Sequence, residues 1–212
     1  PPGETPRNYY LRIRSTVGIQ APLRLLRHEA FVAHAATSQL VLGLFHGMLI
    51  VLAAMGLLLY ALMRDRLFLL FAGFIGGYTL LQAALSGIAF ALFWPGATVW
   101  ARRAPPVLVA ISGLLAAAFV RDFLESRIRL PRLDRLFVAL NLTAGAIVLV
   151  TTVIDVRWGI RLSVVYGAVL ISSAVGGALL LAARGFRPAR YFAGALSAFL
   201  GGSLIASLTH AG

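Results

Sequence analysis

The sequence predicts an all-α integral membrane protein, an antiparallel bundle of six spans belonging to a truncated seven-span bundle, preceded by a short extracellular β or lead-in segment. Three observations predict it. Of the 212 residues, 60% are hydrophobic and only 12% are charged, against about 25% charged in a soluble domain. There is too little polar surface to cover so large a core in water, so lipid must solvate the apolar faces. Six runs reach the roughly 20 apolar residues that cross a bilayer, and the connectors between them are short and carry arginine.

In chain order, residues 1–38 form an extracellular tail, in which a single strand either pairs with strands outside this sequence or is loose. From Tyr9 the stretch YYLRIRST alternates apolar and polar residues, as a half-exposed strand does. Residues 21–37 read as a short amphipathic helix or an extended lead-in. The spans are expected at 39–63, 67–93, 106–124, 136–154, 161–183 and 191–208, and 209–212 is a C-terminal tail. Connectors of a few residues oblige successive spans to run antiparallel. The opening PPGETPRNYY has no Met, basic n-region or h-region, which is expected of a piece cut from a longer protein; a seventh span is expected beyond residue 212.

Charge sets the orientation. The net charge is +12, and every one of the 19 basic residues is Arg. They sit in clusters between apolar runs, not in one stripe, so nucleic acid is not the expected partner. The connectors 64–66, 121–135 and 184–190 hold ten Arg; those on the opposite side, 94–105 and 155–161, hold four. Adding Arg24 and Arg27, the tail arginines near enough to the first span to count, gives six against ten. The positive-inside rule then places the N-terminus outside. Trp94, Trp100 and Trp158 fall at span ends on the outer side, where interfacial aromatics gather.

Catalytic patterns are scarce. With no cysteine there is no disulfide, thiolate or cysteine-based metal site. The sequence contains no HExxH, no Walker-type loop and no paired carboxylates within a span, so no cofactor, metal or catalytic residue is expected, and the chain is not read as an enzyme. The seven acids lie in tails, connectors or span ends, whereas a proton-coupled carrier needs an ionisable group at mid-membrane. A small-solute transporter or channel is the alternative function; its best support is the glycine-rich GFIGG (73–77), a candidate break in the second span.

The candidate residues form four groups. His46, Tyr78, Gln82, Asn141 and Tyr166 are polar groups inside spans, read as interhelical hydrogen-bonding groups or, functionally, as a relay or cavity lining. His46 is the ionisable member, with a pH- or ligand-responsive switch as its functional reading. Arg102 and Arg103 are headgroup-region charges or an outer-face contact for a sensor module or anionic ligand. Arg121, Asp122, Arg127, Arg129, Arg132, Asp134 and Arg135 make up the charged connector RDFLESRIRLPRLDR (121–135), which anchors the bundle or touches a partner on that side; there Pro131 breaks the helix and Asp134 suits the start of the fourth span. Ala168, Ser172 and Gly176 in the fifth span, with Gly194, Ala198 and Gly202 in the sixth, repeat small residues at i, i+4, i+8. Such spacing permits close packing between these two helices or a homodimer seam. Asp155 and Arg157 are expected to pair.

Four stretches carry a resemblance to the membrane module of the bacterial seven-transmembrane receptors with diverse intracellular signalling modules: LGLFHGMLIVLAAMGLLLYAL (42–62), the link Arg64-Asp65-Arg66, LLQAALSGIAFALFWPG (80–96), and AAFVRDFLESRIRLPRLDRL (117–136), which is similar to the family's Phe-Leu and Pro-x-Leu-Asp signature. The tail resembles the end of the jelly-roll module that precedes the first span. The likeness covers most of residues 9–140, and beyond Leu140 it is one of hydropathy and order. Ala61 stands where the family commonly has Asn, and His46 where an aromatic is usual. The resemblance implies a receptor in the bacterial inner membrane. Its outer carbohydrate-binding-like module would sense a small molecule, its spans would relay the signal, and a cytoplasmic effector in cis, a kinase or cyclase, would respond.

Overall fold

A computed structural model describes residues 28–192 and 194. Helices α1 (His28–Met63), α2 (Arg66–Leu85), α3 (Ile88–Leu92), α4 (Thr98–Phe123), α5 (Ser126–Arg129), α6 (Pro131–Leu149) and α7 (Val156–Ala183) follow in order, with a π turn, Val150–Ile154, between α6 and α7. Among the described residues, five segments are long and apolar enough to cross a membrane: Gln39–Met63, Arg66–Leu85, Thr98–Phe123, Pro131–Ile154 and Val156–Ala183. Of the expected sixth span only its start is described; the N-terminal strand lies outside the described residues.

The lead-in is helical from His28 and continues into the first span without a break. The second span departs from expectation. It does not run unbroken over 67–93: α2 stops at Leu85, and Gly87, at φ 80°, turns the chain before α3. Only glycine takes that conformation without strain. Conversely, α2 is continuous through GFIGG, so no break occurs where a transporter-like discontinuity is expected. Instead Gly77 lets α4 approach; a Cβ there would lie 3.2 Å from that of Ser112.

The third span begins eight residues earlier than expected, at Thr98, and contains Pro105 and Pro106. Their missing N–H groups leave the carbonyls of Ala101 and Arg102 without helical donors, a cost that neighbouring groups offset in membrane helices. The 94–105 connector is therefore largely helix. The fourth span begins at Pro131, which occupies the first helical turn, where proline's fixed φ is favourable. It ends in the π turn: Thr151 and Thr152 hydroxyls donate to the Ile147 and Val148 carbonyls at 2.6 and 2.8 Å, competing with the backbone ladder, and Asp155 N–H reaches back to Val150. The fifth span starts at Val156 because Asp155 caps it, accepting from the backbone N–H of Arg157 at 2.9 Å. That contact replaces the expected Asp155–Arg157 side-chain pair.

The hub is α4, which packs against α2 on one flank and against α6 and α7 on the other; α1 lies against α2. Phe137 and Leu124 are fully buried at the α4–α6 junction. Two glycines admit side chains from other helices. Tyr166 of α7 lays its ring on Gly113 of α4, and Leu133 of α6 sits on Gly177 of α7, both closer than any Cβ would allow. The buried stripe of α7 runs through Tyr166, Leu170, Ala174, Ala178 and Leu181. Ala168, Ser172 and Gly176 lie on its exposed face, and their expected partners Ala198 and Gly202 lie outside the described residues.

Candidate functional site

The arginine-rich end of the bundle is where the connectors meet. Arg121 stands in the last turn of α4 and Asp134 in the first turn of α6. The guanidinium donates from Nε to Oδ1 at 2.8 Å and from Nη2 to Oδ2 at 3.1 Å. Both side chains are more than four-fifths covered, at 16% and 17% exposure. The fully buried Ser126, at the start of α5, donates to the same Oδ1 at 3.0 Å. Asp134 therefore takes side-chain donors from two other elements, rather than the helix N–H groups expected from its position.

The neighbouring residue of α4 makes a second tie. Asp122 Oδ2 accepts from Nε of Arg66, in the first turn of α2, at 2.8 Å. Consecutive residues at one helix end thus hold α6 and α2. Arg129 bonds Glu125 one turn back at 2.8 Å and lies 4.0 Å over the ring of Phe186, in the segment after α7. Arg127, Arg132 and Arg135 are exposed. Pro131 does separate two helices here, α5 from α6, with Glu125 in the left-handed region at φ 48° making the preceding turn.

The intramembrane candidates do not converge on one cavity. His46 donates from Nδ1 to the Leu42 carbonyl at 2.8 Å. That carbonyl can only accept, so Nδ1 carries the proton and Nε2 is an acceptor; Nε2 is buried without a partner. It faces a groove of about 640 Å³ between α1 and α2–α3 that also touches Ile50, Gly76, Thr79 and Phe93. Tyr78, Gln82, Asn141 and Tyr166 do not line this groove. Tyr78 packs beside Leu81, Ala104 and Leu108, while Tyr166 belongs to the α4–α6–α7 core. The Asn141 Oδ1 and the Tyr166 hydroxyl are buried without partners.

At the opposite end Arg102 and Arg103 border a cleft of about 160 Å³ with Asp155. Trp94 and Trp100 meet edge to face there at 6.2 Å, and Arg161 lies 5.3 Å over the Trp158 ring. Among the described residues no group of three His, Asp or Glu side chains could hold a metal.

The family model described as 7TM diverse intracellular signalling matches residues 38–212. The chain belongs to the 7TM diverse intracellular signalling family. No curated protein and no solved structure matches it. As a 7TM diverse intracellular signalling domain, the chain is a multi-pass membrane protein and a sensory receptor module, not itself catalytic. One of the four stretches that carry the resemblance, 117–136, is the one whose side chains join α4, α5 and α6. Sequence reading missed three participants in that network. Ser126 looks like an ordinary connector hydroxyl, Arg66 lies 56 residues before its partner, and Phe186 belongs to another connector. Only their shared side of the membrane, legible from the alternation of connectors, links them in the sequence.

Proposed function

We propose that this chain is the transmembrane relay of a bacterial inner-membrane receptor, with its N-terminus outside. An extracytoplasmic small molecule, a carbohydrate by resemblance, binds a sensor module ahead of residue 38, and a kinase or cyclase in cis responds in the cytoplasm. The observation that carries the reading is the pair of ties from Arg121 and Asp122, which join α6 and α2 to one end of α4. Helices so joined transmit a shift in packing to whatever follows them on that side. Transmission requires two packing states that differ in ligand affinity.

The Arg66–Asp122 tie is the one to cut, because Arg66 is 72% exposed and such pairs contribute about 0–1 kcal/mol. Effector product is measured in the full-length receptor, with the outer module present and deleted. In the unmodified receptor, deletion changes output. In Arg66→Gln and Asp122→Asn, output loses that dependence while membrane abundance holds. Output indifferent to the outer module in the unmodified receptor contradicts the relay. A solute transporter would need a polar midplane or discontinuous helices, and the candidate break at 73–77 is continuous helix in α2.

A further inference from the structure

We propose that the cleft between α6 and α7 at the arginine-rich end binds an anionic phospholipid, with the phosphate among Arg132, Arg135 and Arg184 and an acyl chain in the groove below. The cleft holds about 740 Å³ and has two distinct zones. Its rim carries four arginines, Arg129, Arg132 and Arg135 from α5–α6 and Arg184 at the end of α7. Its wall is mostly apolar, formed by Leu133, Leu136 and Leu180 with Gly176 and Gly177; the hydroxyl of Ser173, also in the wall, is taken by the Leu170 carbonyl.

The charge is uncompensated. The described acids of this end are Asp65, Asp122, Glu125 and Asp134; Asp65 caps α2 through the Leu67 N–H, and the other three are taken by Arg66, Arg129 and Arg121. Among the described residues, Arg132, Arg135 and Arg184 have no carboxylate within 4 Å. A second cleft of about 550 Å³ shares Arg129 and Arg184 and adds Arg187, so the positive rim continues around the end of α7. Arginine's planar fork suits phosphate oxygens, and basic clefts between spans at the membrane surface recognise anionic headgroups.

The depth also fits a lipid rather than a free phosphate. Gly176 lies eight residues before Arg184 on α7, about 12 Å along the helix axis, the separation between a headgroup and the upper part of its chain. Gly176 is exposed, and a Cβ built on it meets nothing within 4 Å. Leu133 is already seated on the adjacent Gly177, so the groove beside it at Gly176 is open. After α7, Phe186 lies under Arg129 at the rim and Phe192 meets Phe123 of α4 at 5.3 Å.

The test uses the full chain, purified and delipidated, offered mixed phosphatidylglycerol and phosphatidylcholine, with retained lipid counted by native mass spectrometry. Phosphatidylglycerol is retained preferentially. Arg132→Gln with Arg184→Gln lowers that retention about tenfold. Gly176→Trp, which fills the groove and changes no charge, lowers it to a similar degree, and Gly176→Leu lowers it partly should the indole disturb the fold. Arg157→Gln with Arg161→Gln, at the other end, leaves it unchanged. Millimolar inorganic phosphate does not displace the lipid. Equal retention of both lipids overturns the proposal. So does full retention by both Gly176 variants, which reduces the effect to diffuse charge attraction. Displacement by inorganic phosphate overturns it in favour of a phosphate-only site.

Discussion

Arg121 at the end of α4 grips Asp134 at the start of α6 with two hydrogen bonds, and the buried Ser126 completes the carboxylate's shell. The pair spans the connector that the sequence marks as its densest cluster of charge. It fixes where α6 begins relative to α4, and so how Phe137 and Leu124 pack beneath it.

Breaking this pair from one side leaves a mostly buried charge. Asp134→Asn or Arg121→Gln is expected to destabilise the chain by about 3 kcal/mol. Arg121→Met with Asp134→Leu recovers much of that loss, because no charge is then stranded. Thermal unfolding in detergent of the two single variants and the double variant measures this. Equal losses from the paired and unpaired variants contradict it.

The Tyr166 hydroxyl is buried without a partner while its ring covers Gly113. Tyr166→Phe is therefore expected to hold stability or raise it by up to about 1 kcal/mol. Gly113→Val drives a side chain into the ring and costs about 2 kcal/mol or more. Unfolding of the two variants side by side distinguishes a packing role for Tyr166 from a hydrogen-bonding one.

Gly87 and Gly43 separate backbone strain from crowding, since a Cβ at either meets nothing within 4 Å. Gly87→Ala places a side chain at φ 80° and is expected to cost about 1 kcal/mol. Gly43→Ala, inside α1, is expected to stabilise by about 0.5–1 kcal/mol. Changes of the same sign in the two variants contradict the assigned break between α2 and α3.

His46 keeps an acceptor, Nε2, buried and unbonded in an apolar groove. His46→Phe removes that unbonded group and retains an aromatic volume beside Phe45, so stability is expected to hold within about 1 kcal/mol. Receptor output at neutral pH is expected to be unchanged. A lost response with a normal fold would assign the groove a part in signalling.

Hydropathy made the spans legible, and the first ends at Met63 as read. The errors fall where a local device overrides hydropathy. Asp155 begins α7 five residues early by capping it, Pro131 begins α6 five residues early, and Gly87 ends the second span early. The two prolines of α4 look like breakers by the rules of soluble helices and are not. The polar residues within spans were legible as polar, but not by what they face: His46 lies in the α1–α2 groove and Tyr166 in the α4–α7 core because helix rotation, set by packing partners distant in sequence, decides it. The Arg121–Asp134 bond joins residues 13 apart, yet neither residue type nor spacing distinguishes it from the surrounding charges.

The relay reading requires the arginine-rich end to face the cytoplasm. These 212 residues hold no cysteine, so with any cysteines of the flanking modules replaced by serine, single cysteines report topology without background. Ile128, 83% exposed, marks the arginine-rich end and Val99, 54% exposed, the other. With a membrane-impermeant thiol reagent on intact cells carrying the full-length receptor, Val99→Cys is labelled and Ile128→Cys is labelled only after the cells are opened. Labelling of Ile128→Cys in intact cells places the arginine-rich end outside and contradicts the account.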